Sequence, residues 1–412
     1  MARRRYRPRP TPAGVNDPDV AGARVLLGGR ADTVLRRAVA DLGGRLGKGW
    51  RRRQVRYVPG RSVVAEFELG PTRGHNGTPQ IVVVASGANV DGTAGATIGG
   101  VSYRWWRYEE DPLLPGLRLV LDADARQQFL GSAGWADSAT RVHIRSYRAT
   151  RRAVIELERG ADHLFVKVVR PDRLTGLLGR YAAASAHPLI EPPLASATEG
   201  IVVFGAVAGR LLRGELLTGW DRLEALDAFV DTLGQLSPQA LDPVEAPARR
   251  LQRVGRLLHH IDPSADKLIE ELVTAEGLAS SSPRAVHGDL HTGQVMVDPS
   301  NGELTGVVDL DTLGIGDELT DRASLLAQLV VLADLNEQFV APRDALTAMW
   351  GRRFGSERLA MRAAAGVIAL SPGPFRTQQR DWRKAVRRRL ALAAELARTV
   401  QSFSGPFAAV RG

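Results

Sequence analysis

Residues 285–298 read AVHGDLHTGQVMVD, and this stretch decides how the rest of the chain is read. Apolar residues flank a knot of polar ones: His287, Asp289, His291 and Gln294. The run VMV (residues 295–297) predicts a short buried strand. Asp298 and Asn301-Gly302 predict the turn that leads into a second strand within LTGVVDLD, residues 304–311. Such a hairpin sets the loop before its first strand beside the end of its second. Asp289, Gln294 and Asp309 are therefore expected to converge.

Two oxygen donors, Gln294 and Asp309, together with one further carboxylate, Asp289, are what phosphoryl transfer needs. Mg2+ takes hard oxygen ligands and bridges phosphates. A separate carboxylate receives or orients the acceptor hydroxyl. Loops between buried strands also carry Asp and His merely as turn residues; the spacing and the downstream GIGD-x3-D pattern weigh against that here. His291 has two readings, local hydrogen bonding or contact with substrate or phosphate. Asp311 either assists the metal or solvates its loop. A zinc site from His287 and His291 lacks a third nearby ligand.

HGDLHTGQ followed by VVDLDTLGIGDELTDRASL (residues 307–325) resembles the aminoglycoside phosphotransferase family, within the protein-kinase-like fold. The resemblance implies that Asp289 is the catalytic carboxylate and Asp309 the second metal ligand. Gln294 stands where that family carries a metal-binding Asn. His287 is implied to brace the catalytic loop, and Asp317 and Asp321 to hold structure. The Gln is also similar to maltokinase-like glucosamine kinases, which carry an extra N-terminal cap. Both amides offer one carbonyl oxygen, so ligation by Gln294 is possible with a shifted geometry.

A kinase-like site also needs a cation for the nucleotide's phosphates, normally a strand Lys. Lys167, in LFVKVV (residues 164–169), is the candidate. The chain has only four Lys, at 48, 167, 267 and 384, so a Lys among apolar strand residues points to a compact ammonium. A Lys on an edge strand that blocks aggregation is the plain alternative. The turn before it, Arg148-Ala149-Thr150-Arg151, has no glycine pattern. The segment after it offers no Glu as a partner, which leaves Asp172, Glu156 and Glu158 as candidates.

Tyr57, Arg61, Val64, Glu66 and Glu68 recur ninety positions on as Tyr147, Arg151, Val154, Glu156 and Glu158. Each set is followed by a third strand, IVVVAS and LFVKVV, whose alignment puts Val84 opposite Lys167. The first half is thus read as two copies of a hairpin-plus-strand unit, the first unable to hold phosphate. Residues 32–46 predict a helix, and residues 91–100 a Gly-rich loop. Three helical patterns follow Asp221, and helices resume after Asp317.

With 412 residues, two or three domains or lobes are expected. The reading is α+β and two-lobed. Residues 1–20 form a disordered basic tail, 21–135 a β-rich cap, 136–209 a kinase-like N-lobe and hinge, and 210–412 a helical C-lobe. No apolar run reaches the roughly 18 residues of a membrane span, and the basic N-terminus lacks the apolar segment of a secretory signal. The absence of Cys excludes disulfides and thiolate metal sites. A cytoplasmic protein is expected.

The net charge of +10 raises a nucleic-acid surface as a possibility. Dispersed Arg residues argue against it, apart from short runs at the N-terminus, 51–53 and 387–389. Residues 289–344 carry many Asp and Glu against only Arg322 and Arg343, which suits a metal or an amine. The leading expectation is an ATP- and Mg2+-dependent phosphotransferase. Its acceptor is a hydroxyl of a small molecule: a sugar, an amino sugar or an aminoglycoside. The alternative is a weak pseudokinase that only binds nucleotide.

Overall fold

The computed structural model describes residues 15–47, 49–70, 80–88, 93–131, 135, 140–237, 241–278 and 283–398. The chain divides into two compact units. The first takes residues 1–174, 194–204 and 374–382; the second takes the remainder.

The first unit opens with helices α1 (Ala21–Leu26) and α2 (Ala31–Asp41). Helix α2 stops short of the predicted end at Leu46 because Gly43 takes a left-handed φ of 76°, a conformation that closes helices at little steric cost. Strands β1 (Trp50–Val58), β2 (Ser62–Leu69), β3 (Gln80–Ser86), β4 (Ala94–Ile98) and β5 (Val101–Arg107) form an antiparallel sheet in the order β1-β2-β3-β5-β4. The stretch expected as a Gly-rich loop is therefore mostly strand, with residues 91–92 outside the described residues. Gly99 and Gly100, both at positive φ, make its two-residue turn, which the twist of a hairpin favours.

After α3 (Pro115–Leu121) and α4 (Ala123–Gly131), a second sheet repeats the plan. Strands β6 (Arg141–Arg148), β7 (Arg152–Arg159), β8 (Asp162–Val169), β9 (Ala195–Ala197) and β10 (Ile201–Gly205) run in the order β6-β7-β8-β10-β9. Tyr57 pairs with Val63 as Tyr147 pairs with Ala153, so the ninety-residue repeat holds in space. The third strand needs a correction. Val64 pairs with Ala85, and Val154 with Lys167. Lys167 thus answers to Ala85 and not to Val84, a slip of one residue that the unaligned strand sequences did not reveal. The first copy still has no cation there.

The two sheets share one core. Val64, Val83 and Trp106 of the first meet Leu114, Leu117 and Val120 around α3, and Ile155, Val166, Val168 and Val203 of the second. The expected cap and N-lobe are therefore joined by common burial, and no unit boundary falls at residue 135. Val15, Asp17 and Val20 are buried as well. Asp17 accepts hydrogen bonds from Tyr57 Oη and the Gly60 backbone N–H. The expectation of a disordered tail fails for residues 15–20, and residues 1–14 lie outside the described residues.

Polar groups from the first copy pin the β6–β7 turn. Asp111 Oδ2 accepts from Tyr147 Oη and from the Thr150 N–H, both at 2.7 Å. Glu66 Oε1 accepts from the Ala149 N–H at 3.0 Å. Burial pushes the Glu66 carboxyl up to about 7, against the pull of the Ala149 N–H and Arg53. The folded protein then keeps this proton while the unfolded chain loses it from about pH 4.5. Stability falls as pH rises through that window, by at most about 3 kcal/mol. Glu66→Gln removes the titration, so unfolding in urea at pH 5 and pH 8 should show the variant gaining on the wild type at pH 8. A difference between the two proteins that does not move with pH would mean the carboxyl ionises freely.

Helix α5 (Pro171–Ala183) runs from the first unit into the second. The second unit adds β11 (Arg210–Leu211), α6 (Leu212–Glu215), α7 (Leu223–Leu233), α8 (Pro247–Ile261) and α9 (Asp266–Val273). Two small sheets follow. In one, β12 (Pro283–Val286) pairs with β15 (Gly314–Asp317); in the other, β13 (Val295–Val297) lies between β11 and β14 (Leu304–Val307). Helices α10 (Thr320–Ala333), α11 (Val340–Phe354), α12 (Ser356–Leu370), α13 (Gly373–Arg376) and α14 (Trp382–Arg398) complete the chain. Helix α10 is apolar nearly all round and sits in the core. Gly366 of α12 lets α10 approach, since a Cβ there would lie 2.6 Å from that of Ala327. The fold is thus α+β, β-rich in its first unit and helical in its second.

Candidate active site

The loop 287–294 leaves β12 and enters β13, and it is fixed from below. Asp321, at the start of α10, is buried and takes the N–H groups of His287 (2.7 Å) and Gly288 (2.8 Å) on its two carboxylate oxygens. Burial pushes its carboxyl up, opposed by His287, the two N–H groups and Arg322. His287 is fully buried, and its Nε2 lies 3.1 Å from the Val308 carbonyl. Thr312 Oγ1 donates to the His287 carbonyl at 2.9 Å. Only Gly fits at 288, where φ is 83° and a Cβ would lie 2.5 Å from the Thr312 carbonyl oxygen. Thr292 donates both its N–H and its Oγ1 to Gln328 Oε1 at 2.7 Å.

The hairpin brings its two ends together as its sequence predicts. Val295 pairs with Val307, and the Val308 N–H donates to the Gln294 carbonyl at 3.0 Å. Gln294 is buried, and its Oε1 accepts from the His291 N–H at 3.1 Å. Asp309 follows at once, in the left-handed conformation (φ 70°), which Asp tolerates better than most residues. A single 3-10 turn, Leu310–Thr312, carries Asp311. Burial lowers the pKa of His291, with the charge of His287 adding to it and those of Asp289 and Asp309 opposing it. Its Nδ1 accepts from the Gly293 N–H at 3.1 Å. That acceptor role puts the imidazole proton on Nε2, so local bonding and substrate contact are compatible at this residue.

Asp289 stands apart from these braces. Its side chain is half exposed, and Oδ1 lies 3.3 Å from Arg250 Nη2. Asp317 has a structural place: it is buried against Arg362 and accepts from the Leu319 N–H.

Part of the acidic excess of residues 289–344 is taken up by pairs with Arg residues from outside the stretch. Arg358 holds Glu318, and Arg388 holds Asp334. Asp227 and Asp231 of α7 surround the buried Arg322.

Lys167 belongs to the first unit. It is buried, and the β7–β8 register puts it on the face that carries Val154, Glu156 and Phe165. All three candidate carboxylates have partners besides any Lys: Glu156 meets Arg145 and His163, and Arg170 binds both oxygens of Asp172. Glu158 meets Arg141 and His143.

Sequence reasoning missed four contributors. Tyr181 of α5 is buried, with the backbone N–H groups of Leu310 and Asp309 directed at its oxygen. Burial, then the charges of Asp311 and Asp309, raise its pKa. Arg180 Nε donates to the Leu313 carbonyl at 3.2 Å. The end of α5 therefore docks on the Asp309 loop, through a Tyr where a Glu was sought. Gln328 had a signal, as a lone amide inside the apolar run of α10. Arg250 had only its place among the Arg residues of an amphipathic helix.

The chain belongs to the phosphotransferase enzyme family, whose model matches residues 158–364, half of the sequence. It is an ATP-dependent kinase that acts on a hydroxyl of a small molecule. Among solved structures it is similar to an aminoglycoside-3′-phosphotransferase of type VIII (23% identity, 60% of this chain and 98% of that one, TM-score 0.44). It is also similar to an aminoglycoside phosphotransferase from Streptomyces rimosus (18%, 61% and 98%, 0.43) and to a macrolide 2′-phosphotransferase from Brachybacterium faecium (17%, 66% and 98%, 0.44). No curated protein matches the sequence. Among the described residues, no helix is long and apolar enough to cross a membrane.

Proposed function

We propose that the chain transfers the γ-phosphoryl group of ATP, with Mg2+, to a hydroxyl of a single-ring sugar. The observation that carries this is the half-exposed Asp289 carboxylate, held on a loop whose other polar groups are braced from within. Asp289 receives or orients the acceptor hydroxyl. Lys167 is the cation for the nucleotide's phosphates. His287, Asp317 and Asp321 keep the loop in place. His291 is within reach of the same space through Nε2, and Asp311 adds charge near the metal.

The donor set fits Mg2+. Asp309 supplies a carboxylate and Gln294 Oε1 a neutral oxygen with one lone pair beyond its bond to the His291 N–H. Among the described residues no three His, Cys, Asp or Glu side chains cluster as a metal cage. That suits an ion bound by one or two protein groups together with phosphates and water. When bound, Mg2+ neutralises charge on the phosphates.

An aminoglycoside acceptor would bring several ammonium groups to a chain whose net charge is already +10. A neutral sugar, or one with a single amine, avoids that repulsion. We place the activity in the cytoplasm, with no nucleic-acid or membrane partner. The test is ADP release from MgATP over a panel of neutral, amino and acidic monosaccharides and aminoglycosides. Turnover with a monosaccharide is the expected result. ATP binding with no transfer to any acceptor would leave a nucleotide-binding module instead.

A further inference from the structure

Arg250 lies in the first turn of α8, and its contact with Asp289 is looser than those made by Arg253 of the same helix and by the buried Arg322. Arg253 holds Glu245 through two hydrogen bonds of 2.8 and 2.6 Å. Arg322 binds Asp227 and Asp231 at 2.6 and 2.8 Å. Arg250 instead makes one contact, at 3.3 Å, which is the only hydrogen bond of its side chain among the described residues. Charge-assisted bonds normally close to about 2.7–2.9 Å, and a guanidinium fork suits two parallel bonds. Arg250 is one-third exposed and Asp289 one-half. A further acid close by in sequence, Glu245, is already satisfied by Arg253. Most of the donors of Arg250 are thus left over, at the carboxylate where donor and acceptor substrates must meet.

Two further carboxylates follow the end of the hairpin: Asp309, next to Val308, whose N–H bonds the Gln294 carbonyl on the loop of Asp289, and Asp311 two residues on. A phosphoryl group arriving among them carries negative oxygens of its own. Its transfer calls for a cation aimed at those oxygens and not at the nucleotide's α- and β-phosphates. We propose that Arg250 is a further catalytic residue that donates hydrogen bonds to the non-bridging oxygens of the phosphoryl group during transfer. The inference rests on the kinase reading above. In the step, the acceptor oxygen forms a bond to the γ-phosphorus and its proton passes to Asp289. The bond from the γ-phosphorus to the β–γ bridging oxygen breaks, and its electron pair leaves with ADP. Arg250 keeps all its protons.

The test needs no acceptor. Binding of ADP with Mg2+ is measured by calorimetry, with and without aluminium fluoride, which takes the place of the phosphoryl group in flight. In the wild type, fluoroaluminate should tighten ADP binding. Arg250→Ala should bind ADP within about twofold of the wild type yet lose at least about tenfold of that tightening, on the scale of a lost charge-assisted contact. Arg250→Lys, which keeps the charge without the fork, should recover part of it. Equal tightening in Arg250→Ala and the wild type overturns the proposal, and so does a wild type that binds ADP but ignores fluoroaluminate. A rise in acceptor KM alone, with the fluoroaluminate effect intact, would assign Arg250 to an anionic group of the acceptor and also overturn it. A wild type that binds no ADP is a different result, because it removes the kinase reading itself.

Discussion

Asp289→Asn should lower phosphoryl transfer by about a hundredfold or more, the usual scale for a positioned acid–base group. The substitution is nearly isosteric and keeps an oxygen for Arg250, so the loop should hold its shape. The side chain is half exposed and takes no part in the bonds that fix the loop to Asp321, Val308 and Gln328. What disappears is the negative charge that receives or orients the hydroxyl proton. ADP affinity should stay close to that of the wild type. Full turnover in the variant would falsify the assignment of Asp289.

The second large effect is expected at the metal. Asp309→Ala removes a formal charge and an oxygen, and a loss of about a hundred- to a thousandfold is expected, comparable to losing a preorganised electrostatic group. Gln294→Ala removes only a neutral donor, already shared with the His291 N–H, so its loss should be smaller and partly restored by raised Mg2+. Gln294→Asn separates two accounts of the Gln. If its length suits this loop, the shorter amide cannot both close the loop and face the metal, and rate falls. Should Asn raise the rate, the site is a weakened one. Mg2+ dependence that is the same in all three variants would place the metal elsewhere.

The hairpin around the catalytic loop was legible because its signals are local: a turn at Asn301-Gly302 between short apolar runs, with polar residues at fixed offsets. Lys167 stood out as a candidate because Lys is rare in this chain. The register of β3 was not, since IVVVAS is apolar on both faces and offers no alternation to fix which residue points where. Tyr181 and Arg250 escaped for another reason. Each acts across a long sequence separation on a loop it does not belong to, and nothing in its own helix marks the contact. The Arg partners of Asp289, Asp317, Glu318 and Asp334 were hidden in the same way, since each lies tens of residues away.

The pinned β6–β7 turn has a consequence for turnover. In kinases this hairpin is the Gly-rich part that covers the phosphates, and its ordering is an entropic cost repeated with each nucleotide. Here Ala149 and Thr150 are buried and tied to Glu66 and Asp111. That ordering is completed once, when the chain folds. Under the proposed role of Lys167, nucleotide exchange would have no flap at this turn to wait for, and the duplicated sheet would serve as the splint that makes a glycine-free turn workable.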